Sequence, residues 1–233
     1  MNFKNLVKRN PLLYKVWFYL YRTRTGDKVR LPQKTDHLYF DGYPRSGNTY
    51  FSGLISFVFA DTEFTSHLHV IAGIKLALKQ GLPVFIIIRK PEDAIISNLF
   101  RVTEKKSLKP SQKLVDELAF GYVEYYSYVN SRRDTLNILD FSKVTQEPLA
   151  MLKKVAPVLS DSKRSDEKFE EQVKRFDERI KEKEKNKISA TSALPNEERK
   201  FFKNNHMNLV LSSKHLEKAN QLYSTLVQNH SNI

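Results

Sequence analysis

The 233-residue chain contains no cysteine. Disulfides are therefore excluded, as are thiolate metal sites and cysteine nucleophiles. Tryptophan occurs once, at Trp17, and glycine only seven times. No apolar run reaches the roughly 18 residues that a spanning helix needs, and no cleavable leader is evident. Zinc-finger, RRM-type and basic-zipper patterns are missing too, so nucleic acid is not an expected partner. Negative charge is in short supply. Asp and Glu number 26 against 39 Lys and Arg, a net charge of +13. That excess suits anionic lipid and sulfated or phosphorylated small molecules. A cytoplasmic protein, or one peripheral at a membrane surface, is expected.

The length fits one large domain that buries its own core. The expected organisation is a basic, aromatic helical segment over 1–30 and an α/β domain over 31–233, with a charged helical excursion at 160–187. In the first segment, residues Pro11 to Tyr21 read as a helix opening at proline, with Lys8, Arg9, Arg22 and Arg24 around it. One reading is a membrane-surface helix through residues 11–24. The other is a helix packed on the domain with solvated ends. Apolar residues around nearly the whole circumference favour packing.

Further on, helical and strand patterns alternate. Strands are expected at Asp36–Tyr43, Phe64–Leu68, Val84–Ile88 and Leu136–Phe141. Helices are expected at Asn48–Ala60, Val70–Gln80, from Pro91, Leu114–Asn130, Glu147–Leu159 and Ser213–Val227. Val84–Ile88 is apolar throughout, as in a parallel sheet covered on both faces. In the charged excursion, Phe169, Val173, Phe176 and Ile180 mark one narrow seam. Ile188–Asn196 reads as a loop. The alternation argues a central parallel sheet flanked by helices, a P-loop-like three-layer sandwich.

The most informative stretch is Tyr39-Phe40-Asp41-Gly42-Tyr43-Pro44-Arg45-Ser46-Gly47-Asn48-Thr49-Tyr50. A strand enters a turn built on two glycines and leaves as a helix. Amides of such a turn, and the helix dipole behind them, hold phosphate. Gly42 and Gly47 have the spacing of the triphosphate loop, but Asn48 stands where its lysine belongs and the cation is Arg45. A different activated anion is implied. A second cation, Arg89, ends the strand Val84–Ile88, and Ser97 follows in the next helix. Ligands of open parallel sheets sit beyond the carboxyl ends of strands, and arginine forks suit bidentate phosphate contacts. Two arginine-bearing strand ends imply a ligand with two separated anionic groups.

Tyr43-Pro44-Arg45-Ser46-Gly47-Asn48-Thr49-Tyr50 resembles the 5′-phosphosulfate loop of PAPS-dependent sulfotransferases, Y-P-K-S-G-T-T-W. The segment from Arg89 to Ser97 is similar to their 3′-phosphate motif, R-x-P-x-D-x-x-x-S. Between them, Thr65-Ser66-His67-Leu68 resembles the K-T-H-L segment that carries the family's base, and Leu139-Asp140-Phe141 with Glu147-Pro148 resembles Y-E-D-L…D-P. The resemblance spans about residues 38–160. It implies PAPS as co-substrate and the desulfated product PAP, bound by Arg45, Ser46, Gly47, Asn48, Thr49, Tyr50, Arg89 and Ser97. Arg199 and Lys200 stand for the family's closing R-K-G loop, without its glycine. His67 and Arg45 take the catalytic roles and no metal is implied. The acceptor is a small molecule, glycan or lipid, and the tyrosine-rich segment 120–128 and the N-terminal helix are candidate linings of its cleft. Thr65 stands where the family has a lysine.

Other readings of the same residues stand beside these. His67 suits a structural histidine, and His69 is a second candidate base. Tyr50 suits the core as well as an adenine platform. Arg199 and Lys200 suit a solvated pair. A triphosphate kinase or hydrolase would need a magnesium carboxylate, for which Asp140 is the candidate. A non-catalytic membrane- or glycan-binding relative is the third class.

Overall fold

The computed structural model describes residues 3–25, 29–159, 166–184 and 197–228. Four strands, β1 (Leu38–Gly42), β2 (Phe64–Ser66), β3 (Val84–Ile88) and β4 (Asn137–Asp140), form one sheet ordered β2-β1-β3-β4. Every pairing is parallel, with Phe40 opposite Ser66 and Phe85, and Ile88 opposite Asp140.

Side chains alternate through this sheet, as the pleat requires. Leu38, Phe40, Phe85, Ile87 and Leu139 enter one core. Tyr39, Val84, Ile86, Ile88 and Ile138 enter the other. The first core is closed by α3 (Asn48–Val58), α7 (Phe141–Gln146), α8 (Pro148–Val155) and α9 (Asp166–Glu184). The second is closed by α1 (Phe3–Arg9), α2 (Pro11–Thr25), α4 (Ile71–Lys79), α5 (Pro91–Lys106), α6 (Gln112–Ser131), α10 (Glu197–Leu211) and α11 (Leu216–Gln228). Helices on both faces leave no water-facing side, which is why β3 is apolar at all five positions. The expected α/β three-layer architecture is what is found.

Three local differences matter for the site. β2 stops at Ser66 because His67 and His69 take left-handed backbone, φ 66° and 54°. The excursion helix α9 is anchored by its seam, with Phe169 and Phe176 buried against α3 and α8. Arg199 and Lys200 lie on a helix, α10, not in a loop. The expected loop Ile188–Asn196 lies outside the described residues.

The N-terminal helix α2 packs along a single line. Tyr14 and Phe18, four residues apart, are buried, while Leu12, Val16, Trp17, Tyr19, Leu20 and Tyr21 are exposed. Among the described residues no helix is long and apolar enough to cross a membrane.

Candidate active site

All four strands end at the same edge of the sheet, and the candidate residues follow from those ends. After β1, the chain turns through Arg45 at φ 72° and Gly47 at φ 92° into α3. Gly47 is required twice over. Its backbone is left-handed, and an added Cβ would fall 2.7 Å from the Phe141 ring. At Gly42 a Cβ would fall 2.5 Å from the carbonyl of Ile87 on the neighbouring strand. Between these glycines the loop is closed by a Ser46 amide bond to the Tyr43 carbonyl, 3.1 Å. The amides of Asn48, Thr49 and Tyr50 open α3, where helical N–H groups have no acceptor within the helix. Ser46 is fully buried, its hydroxyl 3.3 Å from that of Tyr126. The Asn48 side chain is buried as well and turns back towards the Gly42 and Tyr43 carbonyls, 3.4 and 3.5 Å. Asn48 thus offers the loop an amide, not a side chain that reaches outward.

Arg45, Ser97 and Arg89 meet. Arg45 Nε donates to Ser97 Oγ at 3.1 Å, and Arg89 Nη1 donates to the Arg45 carbonyl at 2.9 Å. The Arg89 guanidinium lies over the Phe141 ring, 4.4 Å from its centroid. Its Nε is buried without a hydrogen-bond partner among the described residues. Burial lowers the Arg89 pKa, Asp93 opposes this, and the Arg199 charge lowers it further. Arg199 is brought near by α10. Lys203 pairs with Asp93 at 2.7 Å, and Phe202 packs on Phe100 at 5.0 Å. The Arg89 and Arg199 charges oppose each other beside a buried N–H without a partner, which makes this a candidate anion cradle. Lys200 is not brought to it. Its amine lies 3.9 Å from Glu197 and its side chain is 71% exposed.

Beyond β2 stand the two histidines, ring centroids 5.8 Å apart. His67 Nε2 lies 3.3 Å from Thr49 Oγ1, and Nδ1 lies 2.7 Å from Ser66 Oγ. Burial lowers the His67 pKa and the neighbouring His69 charge lowers it further, against Asp41. His69 is different. Its Nδ1 lies 2.7 Å from the Gly42 carbonyl and 3.1 Å from Asp41 Oδ1, and its amide donates to Asp41 Oδ2 at 2.7 Å. Burial works to lower the His69 pKa, but contact with Asp41 outweighs it and raises the value. Asp41 is fully buried. Burial would raise its pKa, yet His69, the Tyr39 hydroxyl at 2.6 Å and the Gly42 amide at 2.9 Å bring it down. The surroundings thus favour the neutral form of His67 and the charged forms of His69 and Asp41. Sequence reasoning passed over Asp41, although a carboxylate in an apolar strand was a visible signal.

The tyrosine-rich segment does not line a cleft. Tyr122, Tyr125 and Tyr126 are buried on α6 beneath the loops. Tyr122 donates to the Arg89 carbonyl and Tyr126 to the Ile87 carbonyl, both at 2.7 Å, while Tyr126 accepts from the Tyr43 amide at 3.2 Å. This segment is the floor that fixes both phosphate-type loops. Tyr50 is part-buried, its ring edge-on to Phe176 at 5.6 Å and its hydroxyl donating to Asp177 at 2.9 Å. Thr65 turns away from the histidines and donates to Asp36 at 2.8 Å. Asp140 caps α7, accepting from the Ser142 amide at 3.1 Å and the Ser142 hydroxyl at 2.7 Å. Its oxygens are engaged in holding the chain, and no observation favours it as a magnesium ligand. Among the described residues no group of three or more His, Asp or Glu side chains is gathered as for a metal ion.

On the outer side of Thr49 and Ser66 lies an open groove of about 540 Å³. Hydroxyls of Thr49, Ser52, Ser56 and Ser66 line it, together with Arg30 and Glu63. Both residues that touch the His67 ring are therefore walls of this groove.

In sequence, the chain matches no known family and no curated protein. In structure it is similar to mouse sulfotransferase SULT7A1 complexed with PAP. The two share 12% identity at a TM-score of 0.59, over 87% of this chain and 88% of that one. The central four-stranded parallel sheet with helices on both faces is thus a sulfotransferase-like fold.

Proposed function

We propose that the chain is a PAPS-dependent sulfotransferase that moves a sulfuryl group from PAPS to a hydroxyl or amine of an acceptor. The observation that carries this reading is the meeting of Arg45, Ser97 and Arg89 at two adjacent strand ends. One doubly charged nucleotide would span them. The PAP carried by the structurally similar sulfotransferase supports the same donor. PAPS supplies an activated sulfuryl group on its 5′-phosphate.

The chain's own residues divide the work. Arg45 and the amides of residues 47–50 hold the 5′ end. Arg89, Ser97 and Arg199 hold the 3′-phosphate, and the free face of Tyr50 meets adenine. As the acceptor oxygen takes the sulfuryl group, its proton passes to His67, whose lowered pKa keeps it neutral and ready. Negative charge growing on the departing phosphate is met by Arg45 and the loop amides, an electrostatic contribution fixed before reaction. His69 is committed to Asp41 and Gly42, which supports His67 as the base. The hydroxyl-lined groove beyond Thr49 and Ser66 supports a polar, hydroxyl-bearing acceptor, such as the sugar of a glycan or a lipid headgroup.

Calorimetry with adenosine 3′,5′-bisphosphate tests the donor half, and absence of binding at millimolar ligand would remove the reading. Radiolabelled PAPS offered with sugar and phenol acceptors tests the rest. Label transferred to phenols alone would refute the assignment of the groove.

A further inference from the structure

We propose that the outer face of α2 docks on an anionic lipid bilayer. An α-helix turns about 100° per residue. On that wheel Tyr19, Leu12, Val16, Leu20, Trp17 and Tyr21 follow one another around about 200° of circumference. All are exposed: Leu12 by 72%, Val16 and Leu20 by 61% each, and Trp17 by 43%. The inner line, Tyr14 and Phe18, is buried in the core shared with α4. Isolated exposed apolar side chains need no explanation, whereas a continuous apolar helix face marks a contact surface.

Composition and charge choose the occupant. Trp17 and Tyr21 stack at 4.9 Å, and with Tyr19 they give the face apolar bodies with polar tips, as residues at a lipid–water boundary have. Residues 1–26 carry six basic side chains, Lys4, Lys8, Arg9, Lys15, Arg22 and Arg24, and no acidic one. A segment whose charges are all of one sign, carrying an apolar helix face, complements anionic headgroups. A protein partner or a second copy of this chain would not require the one-sided charge. Because α2 packs on α4, the bilayer would lie on the face of the sheet that α4 covers. This inference is independent of the transfer chemistry.

The lone tryptophan makes the test direct, since intrinsic tryptophan emission reports α2 alone. The full chain is mixed with vesicles of phosphatidylcholine, or of phosphatidylcholine with phosphatidylserine, and followed by Trp17 emission and by flotation. Expected are a blue shift and flotation with the serine lipid, weakened by salt, and loss of both with phosphatidylcholine alone. Leu12→Ser, Val16→Ser and Leu20→Ser combined should lower vesicle binding by about tenfold or more. Adenosine 3′,5′-bisphosphate binding or circular dichroism confirms that the variant is folded. A wild-type chain that ignores both vesicles, or a folded triple variant that floats equally well, overturns the proposal. So does lipid-independent self-association that the triple variant abolishes, which would make the face a subunit interface.

Discussion

Arg89 donates to the main-chain carbonyl of Arg45 at 2.9 Å, so the two arginine-bearing strand ends act as one unit. On the proposed reading, replacing Arg89 by Ala removes a phosphate partner, and it also releases the turn that carries Arg45. Binding of adenosine 3′,5′-bisphosphate should weaken by about 2–5 kcal/mol, as for loss of one member of a buried charge pair. Arg89→Lys should recover little of this, because an ammonium cannot reproduce the fork. Titration calorimetry on the three proteins decides. Unchanged affinity in Arg89→Ala would place the nucleotide elsewhere.

His67 offers a separation of chemistry from binding. On the proposed mechanism His67→Ala should remove turnover and leave bisphosphate affinity within about twofold, since the ring bonds to Thr49 and Ser66 and to neither arginine. With His67 intact, the proposed transfer should slow on the acidic side as the ring gains a proton. Burial and the His69 charge lower its pKa, so the midpoint of that fall belongs below the ordinary histidine value of about 6.5. A pH–rate profile with its acidic limb above that value would count against His67 as the base.

The Asp41–His69 pair ties stability to pH with a definite sign. The His69 pKa is raised by folding. Its contribution is therefore fully present below the unfolded value of about 6.5 and is lost as pH rises through the higher folded value. Asp41 is lowered by folding, so its contribution is present above the ordinary carboxylate range and disappears on acidification through its folded value. Urea unfolding of the wild type should show stability declining as pH climbs above neutrality. In Asp41→Asn the slope that His69 contributes there should flatten. A variant with the wild-type slope would show that the pair does not form in solution.

Tyr126 is the point where strand, loop and helix are pinned together. Its hydroxyl serves the Ile87 carbonyl and the Tyr43 amide. Tyr126→Phe keeps the ring and orphans both groups in the core. The expected cost is about 1–3 kcal/mol in chemical denaturation, with weaker bisphosphate binding because the loop loses its support. Retained stability with unchanged binding would mean that the tyrosine is merely packed there.

Much of this arrangement was legible in the residues. Gly42 and Gly47 announce a turn that only glycine can make, and the apolar run of β3 announces a covered sheet. Arg45 and Arg89 follow strand ends, where ligands of parallel sheets collect. What escaped has physical reasons. Neighbouring residues on a helix point about 100° apart, so Arg199 faces the cradle while Lys200 faces solvent, a distinction that a loop reading lacks. Tyr122, Tyr125 and Tyr126 recur at helical spacing, and spacing alone does not tell a cleft wall from a floor. Asp41 was hidden by its strand. The β pattern accounts for its neighbours and says nothing of the histidine that reaches back to neutralise it. α2 shows the opposite limit. Apolar residues all round suggested packing, but a helix at a domain's surface can bury only the side that meets the domain.

The contact between Tyr50 and Asp177 carries a consequence for how the fold behaves in use. A donor-loop side chain is also the fastening of the charged helix α9, through Phe176 and Asp177. A ligand that binds more tightly when Tyr50 is fastened to α9 stabilises the docked helix by that difference in affinity. If adenine meets Tyr50 as proposed, protease susceptibility within α9 should fall when adenosine 3′,5′-bisphosphate binds, a readout that needs no acceptor.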